Sequence, residues 1–241
     1  MILFYVRHGD PIYDPDSLTP LGQRQAEALA KRLAFGGIDT VYSSTSVRAK
    51  QTARPTCEIL KREPILLDFA KESHVWSEFS LETSYGRDWV HRIPEYAELF
   101  ASDEIRDLGM KWYEHPRLKE FSTMRSGMER VERETDAFLA RLGYEHDREK
   151  HTYRITRPNE ERVALFAHQG FSWFFLSSIL DIPYPLYSLH FDMSHTGVTA
   201  LYFPNRSDGT CIPRILTLSN DSHLYREGIL TLYDNDKNLK F

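Results

Sequence analysis

Short apolar runs alternate along this chain with longer stretches in which apolar residues recur every three or four positions. The alternation predicts strands and helices in turn. Ile2, Leu3, Phe4, Tyr5 and Val6 form an unbroken apolar run rich in β-branched and aromatic side chains, the pattern of a strand buried on both faces. The run ends directly in Arg7, His8 and Gly9. Residues 10–17 carry Pro11, Asp14, Pro15 and Asp16 and read as a loop. Thr19 suits an N-cap and Pro20 the first helical position. Leu21, Ala26, Leu29, Ala30 and Leu33 then mark one helix face, and Gly36 with Gly37 stops it. Residues 40–43 are a second strand. Ser44, Thr45 and Ser46 offer caps for a helix over 47–61, which Pro55 kinks or restarts. Residues 65–67 are a third strand.

Strand, helix, strand, helix, strand implies right-handed parallel crossovers. The predicted fold class is α/β, a mostly parallel sheet flanked by helices on both faces, forming a single domain over residues 1–241. Residues 69–124 break the rhythm and read as a mostly helical cap insertion over the carboxyl edge of the sheet. Its tryptophans, Trp76, Trp89 and Trp112, either wall a substrate pocket or pack the insertion's own small core. A helix follows over 126–144. Strands at 151–155 and 162–167 join around Pro158 and Asn159, the first a hairpin strand at an edge, the second central. The second runs into His168, Gln169 and Gly170. A helix at 171–180, strands near 198–203 and 213–218, and a frayed polar tail over 231–241 complete the chain. No internal repeat or low-complexity tract is present.

Composition narrows the function. With 41% hydrophobic and 27% charged residues in 241, the chain is an ordinary globular one. The net charge of -5, from 30 basic against 35 acidic residues, leaves no basic stripe, so nucleic acid is excluded as the main partner. Positive charge for an anionic substrate must be local. The 2 cysteines form no paired motif, which argues against a metal or redox framework and fits a reducing compartment. No leader pattern opens the sequence, and the longest apolar stretches are too short to span a bilayer, so a soluble cytoplasmic protein without membrane partners is expected.

Ligands of open α/β sheets sit beyond the carboxyl ends of the strands. There the chain places Arg7-His8-Gly9, the segment Ser44 to Ala53 with Arg48, the acids Glu72 and Glu78, and finally His168. A cation beside a nucleophile suits a compact anion such as phosphate. In this order the pieces resemble the histidine phosphatase superfamily, which includes the cofactor-dependent phosphoglycerate mutases. Its Arg-His-Gly is Arg7 to Gly9. Its Leu-Thr-x-x-Gly-x-x-Gln-Ala is Leu18 to Ala26. Its Ser-x-x-x-Arg-Ala-x-Gln-Thr-Ala is Ser44 to Ala53, and its second histidine is His168. The resemblance covers about residues 1–68 and 125–203.

The resemblance implies a phosphoglycerate mutase-like fold and a metal-independent phosphatase without a cofactor, acting on a small phosphorylated metabolite. His8 is the expected nucleophile, attacking phosphorus to give a phosphohistidine that water hydrolyses. Arg7 and Arg48 suit phosphate because their planar forks stay charged, and they keep the imidazole neutral. By resemblance His168 donates to a phosphoryl oxygen, and Gln169 adds its backbone N–H. The resemblance points to Glu72 as proton donor, because Glu72-Ser-His-Val resembles a motif of the family's phosphatases; Glu78 and Glu82 are the alternatives.

Two positions depart from the family. Asp14 stands where an asparagine often meets phosphate, and Gln169 where glycine is common. Phosphoglycerate mutase-type transfer and a binding or regulatory role without turnover are the alternative functions. Arg87, His91, Arg92, Lys111, Arg117 and Lys119 either bind a second acidic group or form a solvated face. His74, His91, His190, His195 and His223 have no strand-end context and read as structural or surface residues.

Overall fold

A computed structural model describes residues 1–233. The chain opens with β1 (Ile2–Arg7), the short ribbon β2 (Pro11–Ile12) and β3 (Ser17–Leu18), α1 (Pro20–Gly36), β4 (Thr40–Ser44), α2 (Val47–Leu60) and β5 (Ile65–Leu67). It continues through α3 (Glu72–Phe79), the hairpin β6 (Ser80–Thr83) and β7 (Gly86–Trp89), α4 (Pro94–Ala101), α5 (Asp103–Leu108) and α6 (Ser122–Arg141). A second hairpin, β8 (Tyr144–Asp147) and β9 (Thr152–Ile155), leads to β10 (Arg162–Ala167), α7 (Gln169–Leu180) and α8 (Tyr184–His190). The last elements are β11 (Val198–Tyr202), β12 (Thr210–Cys211), β13 (Arg214–Asn220) and α9 (Ser222–Arg226). Among the described residues no helix is long and apolar enough to cross a membrane.

The chain divides into two compact units. Among the described residues, the first holds 1–71, 158–169 and 192–233; the second holds 72–157 and 170–191. The expected insertion, 69–124, falls almost wholly in the second unit, which also takes in α6, the β8–β9 hairpin and most of α7 with α8.

The first unit is built on a 6-stranded sheet of order β13-β11-β1-β10-β4-β5. β1, β10, β4 and β5 run parallel, and β11 and β13 add an antiparallel edge. β1 is central because both its faces are apolar, as the opening run requires. Val6, Val41, Ala164 and Phe166 pack against Leu29, Leu33, Ala53 and Cys57 of the flanking helices. Thr19 caps α1 by accepting from Gly22 N at 3.0 Å, and Gly37 ends it at φ 75°. α2 neither stops nor restarts at Pro55. Its expected serine cap is absent: Ser46 makes no side-chain cap bond, and Asp16 Oδ2 accepts from Val47 N at 2.7 Å instead. Residues 231–233, read as frayed, are tied down by a bridge from Tyr233 to Ser194; the rest of that expected tail lies outside the described residues.

In the second unit Trp112 is fully buried and packs with Phe79, Phe100 and Tyr184, so this aromatic serves the unit's own core. The strands β6, β7 and β8 were not legible. Gly86, at φ 109°, turns the β6–β7 hairpin. Gly143, at φ 98°, follows the end of the long helix, and Tyr144, read as that helix's last residue, instead opens β8, the partner of β9.

A half-buried charge network ties α6 and β8 to Asp181, the residue that follows α7. His146 Nδ1 lies 3.1 Å from Asp136 Oδ1, and Nε2 lies 3.0 Å from Asp181 Oδ2. Arg148 binds both oxygens of Asp136 at 2.8 Å. A carboxylate at each ring nitrogen selects the imidazolium. Burial alone lowers the His146 pKa, but the bonds to Asp136 and Asp181 outweigh it and raise it above 6.5. Burial raises the Asp181 carboxyl, and His146, His151 and Arg148 together more than reverse this, holding it below 3.8. The raised histidine stabilises fully below pH 6.5 and loses that contribution as pH climbs through its folded value. The depressed carboxylate contributes above pH 3.8 and loses it as pH falls through its folded value. His146→Gln is expected to lower stability by about 1.5–3 kcal/mol. In thermal melts the Tm gap to the parent is widest between pH 3.8 and 6.5 and narrows above 6.5; a gap that grows with pH contradicts the network's charge state.

Candidate active site

In the first unit the carboxyl ends of β1, β4 and β10 bring Arg7, His8, Ser44 and His168 together, with Arg48 on the first turn of α2. Arg7 is 2% exposed, His8 1%, His168 0% and Arg48 9%. The His8 and His168 rings meet edge-on, with centroids 5.2 Å apart. His8 is held by its backbone on both sides: its N–H donates to Ala167 O at 3.0 Å, and its carbonyl accepts from Thr196 N at 3.2 Å. The ring Nδ1 lies 2.7 Å from Gly9 O. A carbonyl only accepts, so Nδ1 carries the hydrogen and Nε2 presents its lone pair.

His168 is pinned by Tyr5, whose hydroxyl donates to His168 O at 2.6 Å and accepts from His168 N at 3.3 Å. His168 Nε2 shares a hydrogen bond with Ser44 Oγ at 2.9 Å. Gln169 is buried beside it at the start of α7. Burial lowers the His8 pKa well below 6.5, and His168, Arg7 and Arg48 push it further the same way. His168 is lowered for the same reasons, burial first, then Arg48 and Arg7.

The remaining motif letters hold the loop that carries His8. Gly9 N donates to Thr52 Oγ1 at 3.0 Å, and Thr52 donates to Arg48 O at 2.8 Å. Gln25 accepts from Asp10 N at 2.8 Å, and Gln51 from Leu18 N at 2.7 Å. Gly9 faces Gly22 so closely that a Cβ on Gly22 would lie 2.2 Å from Asp10 O. These glycines let β1's end dock on α1.

The structure also places the other residues singled out in the sequence. Asp14 is exposed; the carboxylate on the arginine is Asp16, whose Oδ1 accepts from Arg48 NH1 at 2.9 Å while Tyr13 lies under the guanidinium at 5.3 Å. Glu78 is bound at both oxygens by Arg130, at 2.8 and 2.6 Å, and Glu82 pairs with Arg87 at 3.1 Å. His195, read as structural or surface, is buried in the cluster, with Nε2 2.9 Å from Arg7 NH2 and its ring 6.0 Å from that of His8. Nothing in the sequence around it, Met193 to Gly197, carries a strand-end signal. The pairing of β11 with β1 brings it in.

Glu72 belongs to the second unit, as the first residue of α3. Its Oε1 accepts from Gly170 N at 2.7 Å. A Cβ on Gly170 would meet Trp89 at 2.5 Å and Glu72 Oε1 at 2.8 Å, so glycine is required there.

The histidine phosphatase superfamily (branch 1) model matches residues 3–209. The chain belongs to this superfamily. As a histidine phosphatase superfamily member it shares its fold with the phosphoserine phosphatase of Entamoeba histolytica solved with 3-phosphoglyceric acid, at TM-score 0.58 and 18% identity over 92% of this chain and 98% of that one. A mycobacterial glucosyl-3-phosphoglycerate phosphatase solved with VO3 gives TM-score 0.54 and 17% identity over 90% and 97%. The alpha-ribazole phosphatase of Shigella flexneri gives 0.55 and 20% over 92% and 97%. No curated protein matches the sequence.

The lowered pKa values make a direct expectation for this superfamily member. In the anion-free protein, nitrogen NMR is expected to show His8 and His168 uncharged at pH 6, with His8 as the Nδ1–H tautomer. Because both are depressed, stability falls as pH drops below 6.5, where the unfolded chain takes up protons first. Imidazolium signals from His8 at pH 6 contradict this.

Proposed function

We propose that the chain is a phosphatase that hydrolyses small phosphomonoesters, passing the phosphoryl group to His8 and then to water. The observation that carries this reading is the neutral, Nδ1-protonated His8 buried with Arg7, Arg48 and His168. In the first step His8 Nε2 attacks phosphorus, the phosphorus–oxygen ester bond breaks, and Glu72 gives its proton to the departing alkoxide. Arg7, Arg48, His168 and the Gln169 backbone N–H receive the charge on the phosphoryl oxygens. In the second step water attacks phosphorus, Glu72 takes its proton, and the phosphorus–nitrogen bond breaks to return neutral His8 and inorganic phosphate. Fixed guanidiniums carry the positive charge, so this reading needs no metal and no cofactor.

Glu72 is preferred as the acid because Glu78 and Glu82 are engaged by arginines. Its carboxylate is aligned by Gly170 N–H, two residues along the chain from His168. Arg117 and Lys119 pair with Glu95 and Glu114, which supports reading them as part of a solvated face. The substrates named for the phosphoserine and glucosyl-3-phosphoglycerate phosphatases support a small phosphorylated metabolite. Cys57 and Cys211 are free and buried, which supports a cytoplasmic setting.

The test is turnover of p-nitrophenyl phosphate in EDTA. Activity is expected without metal and is abolished in His8→Ala. Acid-labile label from a phosphorylated substrate is trapped on the parent protein only. Turnover only of phosphoglycerate with a bisphosphate primer points to a mutase instead, and inactivity across a substrate panel overturns the enzymatic reading. Glu72→Gln is expected to lower kcat about 10²–10⁴-fold for glycerol phosphate. In the phosphorylation step, read as the burst of released alcohol or nitrophenolate, the loss is much smaller for p-nitrophenyl phosphate, whose leaving group departs without a proton, while the shared water step is slowed for both substrates. Equal losses in that burst on both substrates remove Glu72 from the acid role.

A further inference from the structure

Arg7 is a buried cation with no ion-pair partner among the described residues, so neutral groups must set the plane of its guanidinium. There are two. NH1 donates to the carbonyl of Met193, and NH2 lies 2.9 Å from His195 Nε2. A guanidinium only donates. His195 Nε2 must therefore be the acceptor, and the ring hydrogen sits on Nδ1. That nitrogen lies 3.7 Å from Asp10 Oδ1, and the other oxygen of Asp10 accepts from Thr19 Oγ1 at 2.6 Å.

The backbone keeps the imidazole in register. His195 N donates to Leu232 O at 3.1 Å, Thr196 N to His8 O at 3.2 Å, and Arg7 N to Gly197 O at 3.2 Å. The short turn 194–197 thus grips both Arg7 and His8. The ring is 1% exposed, so it has no alternative partner in solvent. Burial, then Arg7, then His8 all push its pKa down, which keeps Nε2 available as an acceptor.

We propose that His195 is a positioning residue of the phosphate site, accepting from Arg7 NH2 through Nε2 and so fixing the guanidinium plane toward the bound anion. The bond leaves Arg7 with one hydrogen on each terminal nitrogen and with Nε–H, which is buried and has no hydrogen-bond partner among the described residues. The identity of the anion rests on the phosphatase reading above; the geometry itself requires only that an oxyanion meet Arg7.

Gln places its side-chain oxygen as far along the chain as the Nε2 of histidine, whereas Leu fills the space with no acceptor. His195→Leu is expected to weaken inorganic phosphate binding in calorimetry about tenfold. It raises KM for p-nitrophenyl phosphate in parallel, and His195→Gln recovers affinity to within about threefold of the parent. His195→Phe keeps a ring in place without an acceptor and serves if the leucine variant does not fold. In an Arg7→Ala background the loss of the acceptor adds less than about twofold, because the group it orients is gone.

The proposal is overturned if the leucine or phenylalanine variant binds phosphate like the parent. It is equally overturned if Gln is no better than Leu, or if the loss adds in full without Arg7. Turnover in the parent with no effect of His195 sinks the positioning role and leaves the phosphatase reading standing. His195-dependent phosphate binding without turnover supports positioning and sinks the phosphatase reading. A parent that does not bind phosphate ends both.

Discussion

A guanidinium buried without a carboxylate is the constraint around which the first unit is arranged. Arg7 cannot lose its charge, and taking an ion out of water is costly unless hydrogen bonds replace the water. The protein replaces it on one side only, with a carbonyl and a neutral imidazole. A carboxylate there would cancel the field. Neutral acceptors hold the cation while leaving its positive potential for an anion that arrives from outside.

That potential dictates the state of everything nearby. Three imidazoles, His8, His168 and His195, lie within reach of Arg7, and burial and positive charge depress each. Charged, they would repel the arginines; neutral, each carries one ring lone pair and one N–H. The hydrogen on His8 Nδ1 is directed at Gly9 O, which leaves the lone pair on Nε2. Arg48 is treated differently. It shares Asp16 with the first turn of α2, so the same carboxylate orients the arginine and satisfies an open backbone N–H.

The second unit solves the opposite problem. Around His146, carboxylates outnumber the cations that face them, and the imidazole is drawn into its charged form. The same side chain is neutral among arginines and charged among aspartates. The environment, and not the residue type, sets the role.

The chain's own order of residues determined the sheet strands β1, β4, β5 and β10, the caps of α1, and the convergence of Arg7, His8 and His168 at strand ends. Those features follow from local apolar runs and from right-handed crossovers, which act over short spans and leave a visible pattern. It did not determine the β6–β7 and β8 strands, where a single glycine at positive φ changes the chain's direction and periodicity gives no warning. Nor did it reveal His195 or Asp16. Their positions depend on antiparallel pairing of β11 with β1 and on a loop folding back over α2, contacts between residues far apart in the chain. Such contacts are decided by which backbone groups find partners once the sheet has formed, and only the tertiary structure records that outcome.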